Sequence, residues 1–204
     1  MTTKSRSMPA ARKITVTAIM TAIAVVLQYI EFAIPIIPSF IKLDFSDLPA
    51  LLTAFSLGPW YGVLVELLKN LIHLPFGSSA GVGELSNFIL GASFVLPAGY
   101  IYKENMTKKG ALIGSLMGAI IMALVCFPSN YWFVYPAYVK IYGMPMEAIL
   151  GMYQAILPSV KTLPQALLIF NVPFTFVKGM IDVAVTFAIY KRISPIIKGT
   201  AKTN

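Results

Sequence analysis

Long apolar stretches organise this chain, and they predict its elements. Ile14–Ile30, Leu48–Val65, Leu85–Tyr102 and Gly110–Val139 carry no charge, and Thr162–Tyr190 carries only Lys178 and Asp182. An apolar stretch of about 20 residues is long enough to cross a bilayer as a helix, so the pattern predicts an all-α membrane protein. The second stretch is interrupted by Gly58-Pro59 and Gly62. Proline disfavours a helical residue before it, so residues 44–76 are expected to form two short helices, with a re-entrant hairpin as the alternative. Pro128–Pro164 differs again, with Tyr131, Trp132, Phe133, Tyr135, Tyr138, Tyr142 and Tyr153 against only Lys140, Glu147 and Lys161 as charges. Within it, Pro145–Leu157 sets Ile149, Met152, Tyr153 and Ile156 at helical spacing, which predicts an amphipathic helix along the membrane interface. An interfacial aromatic belt and a lid of rings over an outward-facing pocket both fit this segment.

Composition strengthens the membrane reading. Hydrophobic residues make up 57% and charged residues 12%, against about 25% charged in soluble domains. The net charge of +8 does not point to nucleic acid, because the basic residues flank apolar stretches instead of sharing a soluble face. Lys4, Arg6, Arg12 and Lys13, then Lys103, Lys108 and Lys109, then Lys191, Arg192, Lys198 and Lys202 hold eleven of the 16 basic residues. The positive-inside rule places all three clusters in the cytoplasm. An even number of crossings must then separate the first two, so residues 44–76 add two or none. The expectation is a bundle of six transmembrane helices with both termini cytoplasmic. A basic N-terminus (1–13) precedes the membrane domain (14–190, including the outer segment 128–164), and a basic tail (191–204) follows. No cleavable signal is expected, and one cysteine, Cys126, allows no internal disulfide.

The chain has no phosphate-binding Gly-x-x-x-x-Gly-Lys-Ser/Thr loop, no His-Glu-x-x-His and no Gly-x-Ser-x-Gly elbow. With one histidine and one cysteine, a structural zinc site is not expected. Binding or transport therefore remains, not catalysis, and no cofactor is expected. Ionisable and amide groups inside the apolar sequence are costly and mark polar pathways or buried pairs. Asp44, Asp47, Glu66, Lys69, Asn70, His73, Glu84 and Asn87 form such a set. Glu66, Lys69, Asn70 and His73 share one helical face, where a Glu66–Lys69 pair and a ligand site are both open. Lys178 and Asp182, four residues apart, either neutralise each other or leave the lysine to meet a ligand. Glu84 either caps the fourth helix or faces the site. Ala18 and Ala22 form a small-x-x-x-small pattern, which permits close approach of another helix, within this chain or from a partner.

The segments DFSDLPALL (44–52), GPWYG (58–62), KNLIHL (69–74), GELSNF (83–88), FVLPAGYIY (94–102), SNYWFVYP (129–136) and PFTFVKG (173–179), in this order and spacing, resemble the riboflavin-specific substrate-binding (S) component of energy-coupling-factor vitamin transporters. The resemblance covers roughly residues 11–192. It implies a six-helix, vitamin-capturing subunit without an ATPase of its own, working with a transmembrane coupling (T) subunit and two ABC-type ATPase subunits. It assigns Ala18 and Ala22 to docking on the coupling subunit, and the loop 35–44, with Asp44 and Phe45 at its end, to an extracellular gate. Asn130 and Lys178 match residues that contact the flavin. Thr175 stands where the family often has asparagine, with Asn171 one turn earlier as a substitute donor. Walls for a flat ring come from Phe133, Tyr135, Phe170 and Phe174, and further polar contacts from Asn87 and Glu84. The alternatives are an S component for the phosphorylated flavin or another vitamin, and an independent secondary carrier.

Overall fold

The computed structural model describes residues 8–77, 79–141 and 143–198, with side chains described as far as 190. The outermost parts of the two basic termini lie outside the described residues. Helix α1 is Ala10–Tyr29. A loop follows, pinned by a two-residue antiparallel ladder in which Phe32 pairs with Leu43 and Ala33 with Lys42. Next come α2 (Asp47–Leu57), α3 (Pro59–His73) and α4 (Val82–Glu104). The chain continues with α5 (Lys108–Ser129) and α6 (Tyr135–Lys140), then the short α7 (Met146–Gln154). Helices α8 (Leu163–Ala166) and α9 (Val172–Lys198) close it.

Among the described residues, four helical stretches are long and apolar enough to cross a membrane: Ala10–Tyr29, Val82–Glu104, Lys108–Lys140 and Leu163–Tyr190. Helix α2, with 11 residues, rises only about 16 Å at ~1.5 Å per residue. It is nonetheless the innermost element, buried on all sides from Asp47 to Phe55. The break that follows it has a clear cause. Gly58 sits at φ 116°, a backbone conformation that suits glycine, and Pro59 opens α3, where its missing N–H costs nothing. The α2–α3 hairpin runs from one end of the bundle to the other. Its Gly58 turn lies against α4 at Gly99, where an added Cβ would come within 2.9 Å of Pro59. Nearby, the Lys13 ammonium sits 5.6 Å from the Tyr61 ring centre. Its other end returns to His73, beside Glu84 at the start of α4. Helices α4 and α5 pack closest of all: a Cβ at Gly118 would stand 2.4 Å from the Phe94 carbonyl oxygen, so only glycine lets these backbones meet.

The outer segment expected from Pro128 onward begins as helix, continuous with α5 as far as Lys140. A π turn at Asn130–Val134 joins α5 to α6, with the Tyr135 N–H donating to the Asn130 carbonyl five residues back. A second π turn, Leu167–Asn171, joins α8 to α9 in the same way, Val172 N–H to Leu167 carbonyl. In both, a proline follows immediately (Pro136, Pro173). A proline inside a helix lacks the N–H and crowds the carbonyl four residues back; the extra residue of a π turn relieves that crowding. Such turns are rare and concentrate at functional sites.

The core has two parts. One lies between α1, α2, α4, α5 and α9, around Leu51, Leu52, Phe94, Val95 and Met122. The other gathers Ile37, Val82, Val134, Tyr135, Ile149, Tyr153 and Phe170 at the end bearing the loop after α1. The predicted amphipathic helix thus exists as α7, and Ile149 and Tyr153 are buried against the protein while Ile156 is exposed.

Candidate functional site

A cavity of about 260 Å³ opens between the loop after α1, the start of α4, the α5–α6 junction and α9. It lies at the end of the bundle opposite the Gly58 turn. The two π turns aim its polar lining. Without the extra residue in each, Asn130 and Asn171 would be rotated by about 100° relative to the helix that follows. Asn171 belongs to a closed ring of hydrogen bonds: Tyr153 O–H donates to its Oδ1 (2.6 Å), and its Nδ2 donates to the Tyr135 oxygen (2.9 Å). Because Tyr153 spends its proton on Asn171, Tyr135 is the donor in the remaining Tyr135–Tyr153 bond. Phe40 of the loop packs against the rings of Tyr135, Tyr138 and Tyr153, with centroids 6.0–6.2 Å away. This aromatic group roofs the cavity and joins the loop to α6 and α7.

On the opposite wall, Asn130 Nδ2 and Thr175 Oγ1 both donate to the Cys126 sulfur, at 3.1 and 3.2 Å. A thiol sulfur is a weak acceptor, so both donors are readily given up to a better partner. The floor is ionic. Lys178 Nζ lies 3.0 Å from Asp44 Oδ2 and 3.0 Å from Asp47 Oδ2, which ties the loop after α1 to α2 and α9. Behind it, Lys69 donates to Asp47 and to Ser46 Oγ (2.7 Å). The Lys69 ammonium approaches Glu66 Oε2 at 2.8 Å without the alignment of a hydrogen bond. Charges this deep in a low-dielectric interior persist only when paired, and here the pairs run as one chain. Asn70 extends it to α1 by accepting from Gln28 Nε2 (3.1 Å). At the rim, Glu84 accepts from Ser79 Oγ and contacts His73 Nδ1, each at 2.9 Å.

The structure thus gathers Asn130, Asn171, Thr175, Lys178, Asn87, Glu84, Tyr135, Phe174 and Asp44 around one cavity. Other expectations change. Lys178 pairs with Asp44 and Asp47, not with Asp182, whose carboxyl oxygens have no hydrogen-bond partner. The cause is reach: the loop after α1 brings Asp44, and the start of α2 brings Asp47, onto the lysine. Glu84 does not cap α4, since its carboxylate is engaged by His73 and Ser79. Phe133 is 63% exposed and lies outside the lining, because the π turn rotates it outward. Phe45 packs against Phe32 instead (6.3 Å), and Phe170 packs on Tyr153 (5.4 Å) in the roof. Tyr138, one of the rings of the aromatic segment, lines the cavity, whereas sequence reading did not single out Gln28, Phe40, Leu90 or Met122. Of these only Gln28, an amide in an otherwise apolar helix, carried a usable signal. On the far side of α1, Ala18 and Ala22 are exposed among the described residues.

A multi-pass helical bundle with a polar cavity at one end and buried ion pairs behind it has the architecture of a membrane-embedded binding protein. The chain belongs to the family described as the substrate-specific component of ECF transporters, whose pattern it matches over residues 12–190. It is similar to the riboflavin transporter RibU of Staphylococcus aureus, with 33% identity over 181 residues covering 89% of each chain. It also resembles the riboflavin transporter FmnP of Bacillus subtilis, with 30% identity covering 92% of this chain and 94% of that one. Among solved structures it matches one described as the S component of a bacterial ECF transporter. That match has a TM-score of 0.73 and 32% identity, covering 93% of this chain and 99% of the other. The protein is a multi-pass protein of the cell membrane and belongs to a transport family, not an enzyme family.

Proposed function

We propose that this chain captures riboflavin at the outer face of the cell membrane for ATP-driven import by a transmembrane coupling subunit and two ABC-type ATPases. Six helices cross the membrane in this reading, both termini are cytoplasmic, and the α2–α3 hairpin supplies two of the crossings. Its support is that Gly58 turns beside Gly99, at the bundle end bearing Lys13, Lys103 and Lys108, which the charge rule assigns to the cytoplasm. The cavity then faces outward.

The observation that carries the ligand assignment is the lining itself. Flat apolar walls from Tyr135, Phe174, Leu90 and Met122 converge with Asn130, Asn171, Thr175 and Lys178 in one cavity. That is the make-up a planar heteroaromatic ligand with a few edge acceptors requires. Asn130 and Thr175 exchange their weak bonds to sulfur for ring carbonyls or nitrogens, a net gain. Lys178 is held in place by Asp44 and Asp47 and has a third N–H for the ligand. The loop 35–44 closes over the site through Phe40 and the Asp44–Lys178 pair. The names of the relatives, riboflavin transporters at 30–33% identity, support the same ligand.

Titrating flavin-free protein with riboflavin and following quenching of flavin fluorescence tests the reading. Saturable one-to-one binding is the expected result. Saturable binding of thiamine or folate with none of riboflavin would overturn it.

A further inference from the structure

A cleft of about 370 Å³ lies at the opposite end of the bundle from the cavity, between the end of α2, the α4–α5 connection and α9. Its wall is aromatic. The Phe55 ring centre lies 4.7 Å from that of Tyr102 and 6.2 Å from that of Tyr190, and the two tyrosine hydroxyls share a hydrogen bond of 2.9 Å. With their polar ends engaged by each other, these rings offer the cleft apolar surface, which Phe187 and Ala111 extend. Thr186 breaks the pattern: it lines the cleft at 1% exposure, and its hydroxyl has no hydrogen-bond partner. A buried hydroxyl left alone is costly, and an acceptor brought by a ligand relieves that cost. Exposed Met106, Lys108 and Ala188 mark the opening.

The charge at this opening is positive. Residues 103–109 carry Lys103, Lys108 and Lys109 against Glu104, and no carboxylate lines the cleft among the described residues. Lys108 also begins α5. The first N–H groups of a helix lack intrahelical partners. Thr107 Oγ1 accepts from that of Gly110 at 3.0 Å, which leaves those of Lys108 and Lys109 for an anion. We propose that the cleft seats an anionic phospholipid, with its phosphate on Lys108 and the start of α5, an ester carbonyl accepting from Thr186, and an acyl chain along Phe55, Tyr102 and Phe187. Basic pockets between helices on the cytoplasmic side suit such headgroups. A free anion would leave the aromatic wall bare, and an uncharged chain would leave Thr186 and the helix start unmet. The topology read above decides only that the inner leaflet supplies the lipid.

Native mass spectrometry of the delipidated chain in detergent tests this, with dioleoyl phosphatidylglycerol, dioleoyl phosphatidylcholine and glycerol 3-phosphate as probes. Phosphatidylglycerol should bind at least about fivefold more tightly than phosphatidylcholine, the factor that one lysine near an anionic headgroup supplies. Lys108→Gln, an exposed change, should remove about that factor from phosphatidylglycerol alone. Thr186→Val should weaken both lipids by about fivefold, because both carry the ester. Ala188→Trp should obstruct the opening and weaken both by about tenfold or more. Equal binding of the two lipids overturns the proposal and leaves the cleft to another occupant, such as a segment of a partner subunit. So does displacement of phosphatidylglycerol by glycerol 3-phosphate at equal concentration, which would make the seat one for a free anion. Unchanged binding in Lys108→Gln, or in both Thr186→Val and Ala188→Trp, overturns it as well. The wild-type comparison stands even if a variant does not fold. No readout here involves riboflavin, so a failure of this proposal leaves the reading above intact, and a failure of that reading leaves this test intact.

Discussion

Replacing Lys69 by methionine isolates the ion pairs beneath the cavity. Lys69 is fully buried and serves Asp47, Ser46 and Glu66 at once. Its removal does not harm these partners equally. Asp47 keeps Lys178 at 3.0 Å. Glu66, at 0% exposure, loses its ion pair: neither of its oxygens has a hydrogen bond, and among the described residues Lys69 is the cation it pairs with. Gly91 on α4 makes room for this carboxyl, since a Cβ there would come within 2.2 Å of Glu66 Oε2. Breaking a buried pair from one side costs about 3–5 kcal/mol. For a chain of this size that is a fall of about 10 °C in melting temperature, at ~2–4 °C per kcal/mol. Glu66→Gln is the contrasting change, because Lys69 retains Asp47 and Ser46; it should cost only about 1 kcal/mol. The double change Lys69→Met with Glu66→Met should recover most of the loss, because no unpaired charge is left inside. Thermal unfolding of the three variants in one detergent at one scan rate, read by intrinsic tryptophan fluorescence, is the assay. If Lys69→Met and Glu66→Gln shift the transition equally, or the double change is worse than Lys69→Met, the asymmetric-charge argument fails.

Three further outcomes follow from the same geometry. Lys178→Ala and Asn130→Ala should yield folded protein that binds riboflavin several-fold to about a hundredfold more weakly, one hydrogen bond being worth about 1 kcal/mol, or about 1.5–3 to a charged group; unchanged titrations would remove both from the site. Tyr153→Phe leaves the Tyr135 O–H and Asn171 Oδ1 without their partners, a loss of about 1–3 kcal/mol. It should show as earlier unfolding and faster riboflavin release in stopped flow, and no change in either would mean the ring of bonds holds nothing. Ala18→Trp and Ala22→Trp, on the exposed face of α1, should preserve riboflavin binding by the isolated subunit and abolish co-purification with the coupling subunit. Retention of the full complex would move the docking face to another helix.

The cavity also explains how the loop after α1 is tied down. Two contacts of different kinds fasten it, Phe40 on the aromatic roof and Asp44 on Lys178.

Chain pattern alone determined the membrane class, the apolar stretches and the break at Gly58-Pro59, because helix length in a bilayer and the backbone limits of glycine and proline are local properties. It also brought out most of the polar site residues, since an amide or charge in apolar sequence is conspicuous wherever it ends up. Five of the seven ordered motifs that carry the family resemblance, all but GPWYG and FVLPAGYIY, contribute residues to this cavity. Pairing was not legible. Lys178 and Asp182 sit four residues apart on α9, yet the lysine is claimed by Asp44 and Asp47, 134 and 131 positions away in the sequence. Nor did spacing place the aromatic rings. A π turn inserts one residue into the helical count, so Phe133 turns outward and Asn130 and Asn171 turn in, a shift that no period of 3.6 reveals. The prolines that follow each turn were visible, but their effect on the preceding carbonyl appears only once the helix is built. Phe40 of the loop after α1 and Tyr153 of α7 meet in the roof, and only tertiary packing could bring them to the same point.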